Sequence, residues 1–249
     1  MYKRQALTIE QVNEDAKLCI AVVDVQNKWL SMNVWLFSDR TEGVMVDRQE
    51  FHGDVELVGS SAWGLCKEWL RTKPTYRGYG IKMLAIDTGY SSDAAVRNGM
   101  RMGISNTYFM KGAYGFNRAA YERAKRAKVQ NIRHPLFIIG VDPLKQTVRR
   151  CLSNGSIRVL DTIPEAVDQE LTSENLVRRR MMGKWVPRWE QVHERNEALD
   201  TLVYALAAIR IAGMNAAMIA RIQPANAKRK GRRSRRNSAD RLRDSGMFS

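Results

Sequence analysis

Two short apolar runs in this chain each close on a carboxylate, and that placement restricts the fold more than any other feature. Residues 17–24 read KLCIAVVD and residues 82–89 read KMLAIDTG. Both are strand-length, rich in β-branched or other apolar groups, and lack the polar alternation of a half-exposed strand, which is the pattern of strands buried on both faces. An acid at the end of such a run sits where burial opposes its charge, so something must compensate it. A third acid, Asp200, stands beside the apolar stripe of the segment RNEALDTLVYALAAIRIAG.

The remaining segments supply a framework for these positions. MNVWLFS and GVMVDRQEFHG, separated by the polar SDRTE, add a second and third strand to form an antiparallel meander. Trp63, Leu65, Cys66, Trp69 and Leu70 recur at roughly helical spacing before the Lys73-Pro74 break, which predicts a helix returning the chain. After Asp87, Ser91 or Ser92 is placed to cap a helix running through Ala94 to Met102. NTYFMKGAYGF predicts a strand and a glycine-spaced loop carrying Lys111. LFIIGVDPLKQTVRRCL predicts a strand and a helix opening at Asp142-Pro143, and SIRVL predicts one more short strand. LVRRRMMGKWVPRWEQ reads as a charged, irregular stretch. In the late segment Leu199, Leu202, Val203, Leu206 and Ile209 fall on one helical face. This order predicts an α/β fold with a mixed sheet and helices packed on its faces. No internal repeat is present.

At 249 residues with no glycine- or proline-rich linker in its middle, the chain reads as one domain. We place a lead segment at 1–16, the domain at 17–222 and a tail at 223–249. The tail is basic, serine-bearing and almost without large apolar groups, so burial cannot offset the entropy of ordering it and it is expected to be disordered. A formal charge of +15 and a pI near 10.0 point to a polyanionic partner, because lysine and arginine release condensed counterions from a phosphate backbone. A merely solvated basic surface has the same composition. Cys19, Cys66 and Cys151 have neither CxxC spacing nor even number, which argues for buried, inert thiols rather than a disulfide framework or a zinc site. The polar N-terminus implies no secretion. The apolar stretch 198–220 contains Asp200, Arg210 and Asn215 and reads as a core helix, with no membrane span expected.

Three carboxylates on apolar elements match the hard-oxygen preference of Mg²⁺ and Mn²⁺. Two such ions about 3.5–4 Å apart activate water and stabilise the leaving oxygen in phosphodiester cleavage. Each acid also has a local use: Asp24 as a turn initiator in DVQN, Asp87 in an Asx-turn in DTGYSS, and Asp200 as a partner for Arg195 or another basic group. Glu197, three residues before Asp200, is a further ligand or simply a partner for lysine.

The segments IAVVDVQ, MLAIDTGY, YFMKGAYG and, most specifically, RNEALDTLVYALAAIRI resemble successive blocks of the nuclease domain in gpA-type large terminase subunits of tailed bacteriophages. The resemblance runs in order from about Lys17 to Ile211. It implies a ribonuclease-H-like fold, Asp24, Asp87 and Asp200 as catalytic acids on one or two Mg²⁺ or Mn²⁺ ions, and endonuclease cutting of concatemeric viral DNA during packaging. It further implies a motor domain or chain, a small terminase subunit and a portal as partners, in the cytoplasm of an infected bacterial host. Lys111 matches a family lysine assigned here to phosphate contact. Arg178, Arg179, Arg180 and Lys184 are expected to follow double-stranded DNA, with Trp185 and Trp189 as core. His193 precedes Asp200 by two helical turns and is more simply structural or exposed, and His52 and His134 have no constellation around them. No GxxxxGK[ST] loop occurs, so this chain cannot drive DNA by itself. Either an excised domain or a separate nuclease subunit accords with that, and the glycines of GAYG form no nucleotide-binding pattern. Two other readings remain open at this point: a resolvase- or integrase-type ribonuclease-H-like nuclease, and a non-catalytic DNA-binding packaging module whose acids only form ion pairs.

Overall fold

The computed structural model describes residues 4, 6–124, 128–129 and 132–225. The expectation for the tail therefore falls, from residue 226 onward, outside the described residues. The strands are β1 (Ala6–Leu7), β2 (Leu18–Val25), β3 (Trp29–Asp39), β4 (Glu42–His52), β5 (Thr75–Tyr76), β6 (Tyr79–Asp87), β7 (Thr107–Ala113), β8 (Tyr121–Arg123), β9 (Lys128–Val129), β10 (Ile132–Arg133), β11 (Leu136–Gly140), β12 (Ile157–Leu160), β13 (Glu174–Met181) and β14 (Lys184–Gln191). The helices are α1 (Ser61–Arg71), α2 (Ser92–Gly99), α3 (Val141–Ser153), α4 (Ala166–Leu171), α5 (Glu197–Ile211) and α6 (Ala216–Ala220).

Ten strands form one mixed sheet in the order β1-β12-β4-β3-β2-β6-β7-β11-β8, with β5 attached to β6. The expected meander is β2-β3-β4, antiparallel throughout. From β2 the sheet continues in parallel through β6, β7 and β11, each reached by a crossover, as parallel neighbours require. Every residue of β2 is buried, so both faces of the sheet centre are covered, and the continuously apolar sequence of residues 18–23 follows from that. The mixed, helix-flanked sheet of the ribonuclease-H-like reading is thus the observed architecture.

Helix α5 is the keystone of one face, packing on β2, β3 and β6 and against α3 and α4. The expected single apolar face is an understatement, since twelve of its fifteen residues are buried. A helix apolar nearly all round belongs inside a core. The buried Thr201 hydroxyl accepts a 2.7 Å hydrogen bond from the Asn33 side chain on β3. Gly213 (φ 67) ends the helix in a left-handed turn. Its N–H bonds the Arg210 carbonyl and the next N–H bonds Ile209, a Schellman closure.

The stretch expected to be irregular is instead an antiparallel hairpin, β13-β14, in which Glu174 pairs with Gln191 and Met181 with Lys184. Only Met182 (φ 47) and Gly183 (φ 78) form its turn, and positive φ at both positions matches the right-handed twist of the flanking strands. Pro187 is tolerated because β14 has no second neighbour among the described residues. The hairpin also corrects the tryptophans. Trp185 is 68% exposed, and only Trp189 is half-buried. All three cysteines are free and buried, as expected. No helix among the described residues is long and apolar enough to cross a membrane.

The start of α5 is seated by charge. Arg48 on β4 grips Glu170 of α4 through two hydrogen bonds of 2.7 and 2.8 Å. Glu170 in turn accepts the Ala198 N–H in the first turn of α5 at 3.1 Å. Arg48 and Glu170 are almost fully buried, at 9% and 5% side-chain exposure. Breaking such a pair strands a charge and costs about 3–5 kcal/mol, whereas replacing both partners by apolar groups costs far less. Arg48→Met is therefore expected to lose about 3 kcal/mol of unfolding free energy in urea, and Arg48→Met/Glu170→Leu to recover most of it. Equal losses in both variants would show that the pair does not act as a unit.

Candidate metal centre

Parallel pairing brings the first two acids together. Val23 of β2 is paired with Ile86 of β6, so Asp24 and Asp87 are the next residues of adjacent parallel strands. They project from the same face at the same level, where neighbouring strands lie about 4.8 Å apart. Asp200, in the first turn of α5, reaches the same place from the helix that covers that face.

Each carboxylate is held differently. Asp24 is 5% exposed, and one oxygen accepts a 2.6 Å hydrogen bond from the Gln26 amide. Burial raises its pKa well above the ordinary carboxylate range, and repulsion from Asp200 and then Asp87 adds to this. For Asp87, Oδ1 accepts from the Tyr204 hydroxyl at 3.0 Å and from the Gly89 N–H at 3.1 Å, so the Asx-turn is present as well. Burial raises its pKa too, while Tyr204, the two backbone N–H groups and Lys111 oppose the rise. Asp200 accepts from the Asn196 amide at 2.9 Å and lies 3.5 Å from the Lys145 ammonium. Burial pushes Asp200 up to about 6 against the pull of Lys145, with Glu174 and Asp87 adding repulsion.

The expected site residues divide plainly. Asp24, Asp87 and Asp200 converge. Glu197 is buried but turned to Arg195, 3.2 Å away, so its observed partner is an arginine rather than the expected lysine; it still adds repulsion to Asp24. Arg195 contacts Glu50, Glu170 and Glu197, and the cation beside Asp200 is Lys145. Lys111 lies within β7 rather than in a loop, exposed and close enough to Asp87 to favour its charge. Arg178, Arg179, Arg180 and Lys184 are all exposed on the hairpin, with Arg179 held by Glu190. His193 is exposed in the turn after β14, outside α5. His52 lies 3.6 Å from Glu50, and His134 is buried edge-on to Phe109.

Two members of the site were not anticipated. Lys145 of α3 is 5% exposed and donates a 2.6 Å hydrogen bond to Glu174 at the hairpin base. Burial works against its charge, but Asp200 and Glu174 more than restore it. Tyr204 orients Asp87 from one helical turn beyond Asp200, and that i, i+4 spacing was the available signal. Lys145 had none, because nothing in LFIIGVDPLKQ distinguishes it from a surface lysine.

Among the described residues no three His, Cys, Asp or Glu side chains are drawn in tightly enough to hold a metal ion as they stand. The donor chemistry nonetheless fits a hard divalent cation. Three carboxylate groups face one another, and Asp24 is left with one amide bond against repulsion from Asp200, Asp87 and Glu197. A cation drawn between them would relieve both burial and repulsion.

These raised carboxyls carry a stability consequence whose sign is fixed. Between the unfolded value near 4 and the higher folded values, the native state holds more protons than the unfolded chain. Metal-free stability therefore falls as pH rises from about 4 through about 6 and beyond. In EDTA, Asp24→Asn is expected to melt higher than the parent at neutral pH and to show a flatter melting-temperature profile over that window. A lower melting temperature with an unchanged profile would contradict the repulsion.

Comparison with known proteins identifies the family. The model of the terminase large subunit gpA endonuclease domain matches residues 1–222. The terminase large subunit of Escherichia phage lambda is 25% identical over 208 residues, an alignment covering 77% of this chain and 32% of that protein. The chain thus spans about a third of the length of that relative. Similar solved structures include the large terminase nuclease from thermophilic phage G20c, 14% identical, covering 82% of this chain and 89% of that one with a TM-score of 0.44. A manganese-soaked human cytomegalovirus terminase nuclease domain is 12% identical, covering 84% of this chain and 90% of that one with a TM-score of 0.45. With the family model spanning nearly all of the described residues, the chain belongs to the family of terminase large-subunit gpA endonuclease domains.

Proposed function

We propose that the chain is a metal-dependent endodeoxyribonuclease that cuts concatemeric double-stranded viral DNA during genome packaging, with Asp24, Asp87 and Asp200 holding one or two Mg²⁺ or Mn²⁺ ions. The observation that carries this reading is the matched register of Asp24 and Asp87 on adjacent parallel strands beneath Asp200. A bound divalent ion supplies Lewis acidity, lowering the pKa of water and neutralising the phosphate under attack. The protein's own groups do the rest. Tyr204 and the Gly89 N–H fix the direction of Asp87, and Asn196 and Lys145 fix that of Asp200.

Lys111, exposed beside Asp87, is assigned to the phosphate next to the cut. Arg178, Arg180 and Lys184 follow the backbone further out, with Arg179 contributing least because Glu190 already engages it. Such contacts position DNA without reading its sequence, so cutting by this chain is weakly selective and targeting falls to partners. Those partners are a motor domain or chain, a small terminase subunit and a portal, met in the cytoplasm of an infected bacterial cell.

The test is cleavage of supercoiled plasmid in Mn²⁺ or Mg²⁺ with an EDTA control. Asp24→Asn and Asp200→Asn are expected to lose roughly 100-fold or more, since removing even an outer-shell partner of a metal site costs about 10–100-fold. Equal cutting by parent and variants would refute the assignment. One observation favours a second reading: Lys145 already pairs with Asp200, as in a DNA-binding module whose acids serve only as ion pairs. That reading requires retained DNA binding, no cleavage and no shift in melting temperature on adding Mn²⁺.

A further inference from the structure

Beside the acid centre, the loop after β7 and the β13-β14 hairpin enclose a groove of about 1080 Å³ whose walls carry Tyr114, Phe116 and Trp189 together with Arg179, Arg180 and Arg188. Three carboxylates also line it, and each already has a partner. Asp142 accepts the Gly115 N–H, Glu174 accepts from Lys145, and Glu190 is held by Arg179. The formal charges along the lining cancel, three arginines against three carboxylates, but Arg180 has no carboxylate partner among the described residues and stays available to a phosphate. Tyr114 is 80% exposed. The loop bearing it is not slack, because the Arg118 guanidinium bonds the Tyr114 carbonyl at 2.8 Å and Asp142 holds the next N–H.

Aromatic rings and guanidinium planes arranged this way suit unpaired bases. Within a duplex the base faces are covered by their neighbours, and a protein ring can stack only on a base that has left the helix. The groove is also connected to the acids. Glu174, on its wall, bonds Lys145, which lies 3.5 Å from Asp200.

We propose that this groove binds a single-stranded DNA segment adjoining the cut, its bases stacked on Tyr114 and its neighbouring rings and its phosphates on Arg180 and Arg188. The proposal rests on the nuclease reading for its location and deepens it by naming a strand-separated form of the substrate. A stretch of unpaired bases next to the acids lets the centre approach one strand at a time. It also retains a frayed end after the first bond is broken.

The experiment measures fluorescence anisotropy of the full 249-residue chain in EDTA, with a short oligothymidine and with a blunt duplex of equal length. Tyr114→Ala is expected to weaken binding of the single strand roughly tenfold, the scale of one base-stacking contact, while leaving duplex binding within about twofold. Tyr114→Phe keeps the ring and is expected to match the parent. Arg180→Ala is expected to weaken both ligands and to flatten the salt dependence. If Tyr114→Ala changes neither ligand, or both equally, the groove assignment is overturned. Plasmid nicking in Mn²⁺ is followed in parallel. Nicking without a Tyr114 effect overturns the groove alone, and a Tyr114 effect without nicking overturns the nuclease reading alone.

Discussion

A parallel pairing between two buried strands sets everything else in this molecule. Because β2 and β6 run in the same direction with Val23 opposite Ile86, the acids that follow cannot avoid each other. A one-residue slip would turn one of them to the opposite face. Register here is enforced by burial: every residue of β2 is buried, and so are residues 84–86 of β6. The cost of placing like charges together is therefore carried by the apolar sheet, and the site inherits its geometry from the most rigid part of the fold.

Helix α5 adds the third acid and the means of holding the second. Its own start is fixed by Glu170, which Arg48 clamps from β4. Its far end is closed by the turn at Gly213. The angle at which Asp200 and Tyr204 meet the sheet is thus set by groups at some distance from either residue. Lys145 completes the arrangement from α3 and ties it to Glu174 at the hairpin base. One lysine thereby touches the acid centre and the hairpin that carries the exposed Arg178, Arg179, Arg180 and Arg188.

The sequence made some of this legible and concealed the rest for physical reasons. Asp24 and Asp87 stood out because a carboxylate ending an apolar run is conspicuous, and Asp200 because its helix is otherwise apolar. The meander, the crossover helices and α5 followed from period and length. The hairpin did not, because Pro187, a run of three arginines and a Met-Gly turn obscure the alternation and the usual turn residues. With the hairpin unseen, Trp185 read as core, although its place on a two-stranded hairpin leaves it exposed. Lys145 gains its meaning only from contacts with residues 29 and 55 positions away along the chain, which no local pattern encodes. β1, β5 and β8, at two or three residues each, are too short to carry a periodic signal.

Those short strands have a consequence of their own. The sheet ends on one side at Ala6–Leu7 and on the other at Tyr121–Arg123. The long, apolar strands β2, β3 and β6 all lie inside and have their ladders filled from both sides. A free strand edge is a template for another chain, and edges this brief offer few backbone groups in succession to a would-be partner. The tyrosine, glutamate and arginine of β8 are exposed, adding charge where pairing would have to begin. Among the described residues the ten-stranded sheet thus presents little free backbone for self-association.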